Sequence, residues 1–215
     1  MTISHHPSEE TLAAFAAGQL DEARALIVAS HVSLCPACRE GLRRFEAVGG
    51  VMLAESDPAA MPGDALARTL AVLDAPAPAA HPSAPVRAPH PHPGLPAPLG
   101  AYELGPWRRI GRRIEWRGVD VAADDGLRVF MLRAQPGTRL PRHRHKGDEW
   151  TCVFEGAFRH EHGRFGPGDF DEADDSVEHH PTVEAGVPCI CLVALDKGIA
   201  FQGWIGRLLQ PFVRL

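Results

Sequence analysis

Apolar positions recur with a helical period in the first third of the chain, and as short runs divided by turns in its second half. Ser8 is placed to cap a helix reaching about Ala17, with Leu12 and Phe15 on its apolar side and Gly18 as its stop. Asp21 is placed to cap a second helix, in which Ala23, Leu26, Ile27 and Ser30 share a side and His31 follows in the last turns. Pro36 fits the first turn of a third helix, where the N–H it lacks has no partner to lose. That helix runs to about Ala54, with Gly49-Gly50 as a place to fray or bend. Asp64 is placed to cap a fourth helix that stops before Pro76. Its Leu66, Leu70 and Leu73 stand at i, i+4 and i+7 and form one apolar stripe, which either packs on the earlier helices or docks into a partner's groove.

Residues 75–99 hold nine prolines, many alanines and no acidic residue, a composition that predicts a semi-extended linker rather than a packed core. As polyproline II it would span roughly 75 Å. Beyond it, Leu127–Leu132, Trp150–Phe154 and Val187–Leu195 read as strands, with turns at Pro136-Gly137, Glu155-Gly156 and Gly166-Pro167-Gly168-Asp169. Many short strands over the last hundred or so residues indicate an all-β barrel or sandwich. The predicted class is α + β multidomain: a helical domain over 1–74, the linker over 75–99 and a β-barrel over 100–215.

The net charge of −5 lies in the helical part, where residues 1–74 hold ten acidic against five basic side chains. That balance argues against direct nucleic-acid binding and suits a basic protein partner, or simply solubility. No apolar run is long enough to span a membrane, and the N-terminus lacks the basic and apolar regions of a secretory signal. A cytoplasmic address is expected, with the cysteines reduced.

Two groups of potential metal ligands stand out. In the first, His31 and Cys35 are one helical turn apart and Cys38 lies just past Pro36. Structural zinc takes four Cys or His ligands, and His6 can return from the chain start to complete the set, with His5 as its adjacent rival. One ion would then staple a helical domain too small to be secure on its core alone. The arrangement His-x24-His-x3-Cys-x2-Cys resembles the zinc anti-sigma factors, whose shared signature is HxxxCxxC. In that family the helical domain wraps an extracytoplasmic-function sigma factor and blocks its access to core RNA polymerase.

The second group is Gly137-x5-His143-x-His145-x3-Glu149-x6-Gly156, followed by His179. Residues two apart on a strand share a face, so these side chains can converge on one divalent ion. The spacing matches the first cupin motif at every fixed position. The second motif matches at Gly168 and His179 and departs at Asp174, Ser176 and Val183, which leaves His180 as an alternative to His179. Cys189 and Cys191 share a strand face and are candidate redox thiols. His160 and His162 share another face.

A helical zinc domain followed by a cupin resembles the ChrR-type anti-sigma factors along nearly the whole chain. The resemblance implies a cytoplasmic protein, not an enzyme. It implies a heterodimer with an extracytoplasmic-function sigma factor, released by an oxidative signal such as singlet oxygen. It implies Zn2+ at His6, His31, Cys35 and Cys38. It also implies a second divalent ion, Zn2+ for preference, at His143, His145, Glu149 and His179. Leu66, Leu70 and Leu73 become candidate partner contacts. The alternative is a metal-dependent cupin enzyme, a dioxygenase or isomerase, with a regulatory zinc domain.

Overall fold

The structure, a computed structural model, describes residues 2–75, 92–122, 127–196 and 199–201, with backbone alone for 145 and 199–201. Four helices come first: α1 (Glu9–Ala16), α2 (Glu22–Leu34), α3 (Pro36–Ala54) and α4 (Ala65–Asp74). The Ser8 hydroxyl accepts from the Thr11 amide to cap α1, and the Asp21 carboxylate accepts from the Arg24 amide to cap α2. Pro36 opens α3, and Gly49 and Gly50 stay helical within it. Asp64 departs from expectation, because it precedes α4 but its side chain makes no capping bond.

The strands are β1 (Glu103–Leu104), β2 (Arg108–Ile110), β3 (Ile114–Asp120), β4 (Arg128–Ala134), β5 (His143–His145), β6 (Glu149–Glu155) and β7 (Phe158–His160). They continue as β8 (Gly163–Phe165), β9 (Phe170–Ala173), β10 (Glu178–His179), β11 (Thr182–Val183), β12 (Cys189–Leu195) and β13 (Ile199–Phe201). The main sheet runs β1-β3-β4-β12-β6-β9, with β2 also on β3. Two small sheets run β10-β5-β13 and β11-β7-β8. Helices first and an antiparallel sheet after make this an α + β chain.

Strand β12 is apolar at every position because both of its faces are covered. Cys191, Val193 and Leu195 pack with Phe130 on one face, and by register that face also carries Glu149 and Thr151 of β6. On the other face Leu192 and Ala194 join Met131, Trp150, Cys152 and Phe170 against Ala23, Leu26, Ile27 and Val28 of α2. Helix α2 therefore lies across β6 and β12, and one continuous core joins the helices to the sheet. Burial of Leu26, Ile27 and Val28 contributes about 1.5–3 kcal/mol each.

The end of the proline-rich stretch packs as well. Leu99, in a short 3-10 helix over Ala97–Ala101, is fully buried against α2. Residues 76–91 of the expected linker lie outside the described residues. Next to this junction the Tyr102 hydroxyl donates to Glu22 at 3.0 Å. Arg24 reaches across from α2 to Asp148 at 3.1 Å and lies over the Trp150 ring.

Candidate metal centres

The N-terminal cluster forms where α2 ends and α3 begins. Cys35 is both the residue after α2 and the N-cap of α3, its sulfur accepting from the Cys38 amide at 3.4 Å. His31, one turn earlier, points the same way, and its Nε2 is 3.2 Å from the Cys38 sulfur. The chain start returns along the cupin and brings His6 Nδ1 to 3.4 Å from the Cys35 sulfur and 3.3 Å from that of Cys38. The four donor atoms all lie within 4.8 Å of one another. A zinc tetrahedron with arms of about 2.0–2.3 Å has edges of roughly 3.3–3.8 Å, so the donor set and its spacing fit that ion. The geometry also separates the two N-terminal histidines: His5 turns away and lays its ring on Phe165, 4.3 Å between centroids.

The electrostatics suit a metal. Burial holds the His31 imidazole down to about 4, so it is neutral at pH 7, as a ligand must be. Burial first, and then the neighbouring Cys35, push the Cys38 thiol up to about 12. A buried Cys38 thiol does not ionise unaided; a divalent cation would supply the charge that makes it a thiolate.

His31 also shows how the cluster is held. Its Nδ1–H donates to the Gly168 carbonyl of the cupin at 2.8 Å, which fixes the tautomer and leaves Nε2 for an ion. The Asp169 carboxylate accepts from the Ser4 and His5 amides at 2.7 and 3.0 Å. Glu172 accepts from the Ser8 amide and the Thr11 hydroxyl at the start of α1. Gly168, Asp169 and Glu172 were not singled out in the sequence as supports of this site. Long-range bonds to backbone groups leave no periodicity, and the acidic run from Asp169 to Glu178 reads equally well as a solvated loop.

In the cupin, β5 and β10 pair so that His143 lies directly opposite His179. Their Nε2 atoms are 3.0 Å apart. His143 Nδ1–H donates to the Pro141 carbonyl at 2.8 Å, which again leaves Nε2 for an ion. His143, Glu149 and His179 bring one donor atom each within a shared 4.8 Å. The side chain of His145 lies outside the described residues; its backbone belongs to β5. Burial first, and then the charge of Asp171, push the Glu149 carboxyl up to about 8. A cation among these groups would reverse that penalty, and two imidazoles with a carboxylate suit a borderline divalent ion. Gly156, the last position of the motif, has φ 68, and a Cβ there would meet the Pro188 carbonyl oxygen at 2.5 Å.

Cys189 and Cys191 are buried. The Cys191 thiol is raised well above its ordinary value by its hydrogen bond to Cys189, and then by burial. It is a thiol at neutral pH, and a thiol is the less reactive form. Leu66, Leu70 and Leu73 are exposed on α4.

Comparison with known proteins agrees with both halves. The family described as the ChrR cupin-like domain matches residues 101–197. Anti-sigma-E factor ChrR of Cereibacter sphaeroides is 40% identical over 229 aligned residues, covering 100% of both chains. A crystal structure of Rhodobacter sphaeroides SigE in complex with the anti-sigma ChrR matches with a TM-score of 0.75 at 38% identity, covering 91% of this chain and 100% of that one. Identity at this level along the full length places the chain in the ChrR family of anti-sigma factors.

Proposed function

We propose that this protein is an anti-sigma factor that sequesters an extracytoplasmic-function sigma factor in a heterodimer and releases it on oxidative stress of the singlet-oxygen kind. In this reading residues 1–74 are the inhibitory domain, 75–99 a tether and 100–215 the cupin. His6, His31, Cys35 and Cys38 hold Zn2+, which supplies the charge that keeps the two sulfurs as thiolates. His143, His145, Glu149 and His179 hold a second divalent ion, with Zn2+ preferred. The site of action is the cytoplasm, where RNA polymerase works; no helix among the described residues is long and apolar enough to cross a membrane.

The observation that carries this reading is an apolar surface left exposed among the described residues. Helix α4 has no buried residue, and Leu66, Leu70 and Leu73 are 72, 50 and 75% exposed. A ten-residue helix is marginal in water by itself and gains stability by burying such a stripe. The end of α3 adds Val48, Val51, Met52 and Leu53, also exposed. A protein partner covering both helices fits that surface, and the acidic balance of residues 1–74 suits one that is basic. The solved complex of a full-length relative with SigE supports the choice of partner.

Communication between cupin and inhibitory domain has a direct route in the docked face. Gly168, Asp169, Phe170 and Glu172 touch the zinc cluster and the chain start, while Asp171 meets His160 on the cupin side. An oxidant acting at the cupin ion, or at Cys189 and Cys191, changes the footing of that strand. The tether need carry no signal.

The enzyme reading gains nothing from the arginines near the cupin. Arg142 and Arg144 pair with Glu178, and Arg133 pairs with Glu115, so they are engaged locally. Co-expression with an extracytoplasmic-function sigma factor tests the proposal. A one-to-one complex that blocks transcription from that factor's promoter is expected; two separate proteins and unimpeded transcription would refute it.

A further inference from the structure

His179 belongs to two donor sets. Beside the set with His143 and Glu149, a second unites it with His160 of β7 and Asp171 of β9, one donor atom each and all within 4.8 Å. His160 Nε2 and Asp171 Oδ2 are 2.9 Å apart, with side chains only 1 and 12% exposed. The His179 ring lies 4.5 Å from the His143 ring and 5.0 Å from the His160 ring, between centroids. Asp171 pairs with Thr151 in the β6–β9 ladder, which puts it on the face that carries Glu149. One imidazole thus stands between two others, with a carboxylate on each side.

A neutral imidazole has a single free lone pair, so His179 can serve one ion at a time. We propose that the cupin offers two overlapping positions to one divalent ion, the first at His143, Glu149 and His179, the second at His160, Asp171 and His179. This rests on the reading that the cupin holds an ion at all. Two imidazoles and a carboxylate leave coordination positions open, a set that suits Zn2+ or Fe2+. In the second position the ion replaces the proton that His160 Nε2 now gives to Asp171. That proton moves to His160 Nδ1, and the bond this atom accepts from the His162 amide at 3.1 Å opens. Proton count and charge on the ring are unchanged. An ion that loses Glu149 or His143 then shifts toward β7 and β9 instead of leaving, which brings it to the strand that meets the zinc domain.

A double-mutant cycle on the full chain tests this, with Zn2+ as the probe and a chelating dye as competitor. His160→Ala alone should weaken the cupin ion by about tenfold, the lower end of the 10–100-fold range for a residue that supports a ligand. In the His143→Ala background the same change should cost a further hundredfold or more, because the second position is then the one in use. Asp171→Asn, which keeps a hydrogen-bonding side chain opposite His160, should repeat the pattern where alanine disturbs the fold. Equal losses in both backgrounds would overturn the second position. A wild-type cupin that takes up no ion would overturn the underlying metal reading, and it is recognisable because no cupin variant then alters the ion count.

Discussion

The His31 imidazole and the Gly168 carbonyl are separated by 137 positions in the chain and joined by one 2.8 Å hydrogen bond. Through it a candidate ligand of the N-terminal cluster is oriented by the cupin. Gly168 is suited to this place: its φ is +88, and a Cβ would meet the Ile3 side chain at 2.5 Å. Gly168→Ala should therefore shift both Ile3 and the carbonyl. Zn2+ affinity of the N-terminal site is expected to fall by about 10–100-fold, the usual cost of losing a support for a ligand. Chelator competition measures it; unchanged affinity would mean that the contact orients nothing.

Cys35→Ala or Cys38→Ala removes one donor of the proposed zinc tetrahedron. Structural zinc contributes on the order of 10 kcal/mol in small domains, so the helical part should lose its fold and its partner. The cupin would not escape untouched, because Trp150, Cys152 and Phe170 share a core with α2. Increased binding of a hydrophobic dye together with loss of the sigma complex is the expected pair of results. A variant that still binds the sigma factor would count against zinc as the staple.

Asp169 makes the docking sensitive to acid. Burial tends to raise its carboxyl, but the amides of Gly166, Ser4 and His5 outweigh that and hold it below the ordinary value of 3.8. A depressed folded-state value stabilises the protein above about pH 4 and loses that contribution as pH falls through it. In an acid titration zinc should leave first, as the thiolates take protons. The chain start should detach only at lower pH. Hydrogen exchange at the Ser4 and His5 amides reports the second step, and Asp169→Asn should show fast exchange already at pH 7.

Much of this architecture is legible in the sequence because its signals are local. Ser8 and Asp21 cap helices, Pro36 opens one, and the 137–156 spacing brings His143 and Glu149 within reach of one ion. The docking of the two halves is not legible. Cys189–Leu195 advertises burial on both faces but does not name what covers the second. Leu99 sits in a proline-rich run whose composition speaks against a core, yet it fills one beneath α2. The choice between His5 and His6 depends on how Asp169 grips the Ser4 and His5 amides, a tertiary contact with no sequence signature.

The α4 stripe predicts a clean separation of stability from binding. Leu66→Glu with Leu70→Glu alters exposed positions, so thermal stability of the free protein should change by no more than about 0.5 kcal/mol. Burying two charges at an apolar interface should weaken the sigma complex by a hundredfold or more. Wild-type affinity would place the partner elsewhere.

Glu149→Gln removes the buried carboxylate while keeping its shape. The variant should still bind the sigma factor, since the His6, His31, Cys35 and Cys38 cluster is unaltered, but its release by singlet oxygen should be blunted. Reporter transcription under photosensitiser and light is the readout; normal induction would make the cupin ion dispensable.

Stripping zinc from the purified full chain and titrating it with the sigma factor by calorimetry is the most direct test. The account expects no binding heat from the metal-free protein and recovery of a one-to-one complex when Zn2+ is restored. Binding of equal strength with and without the metal would contradict it.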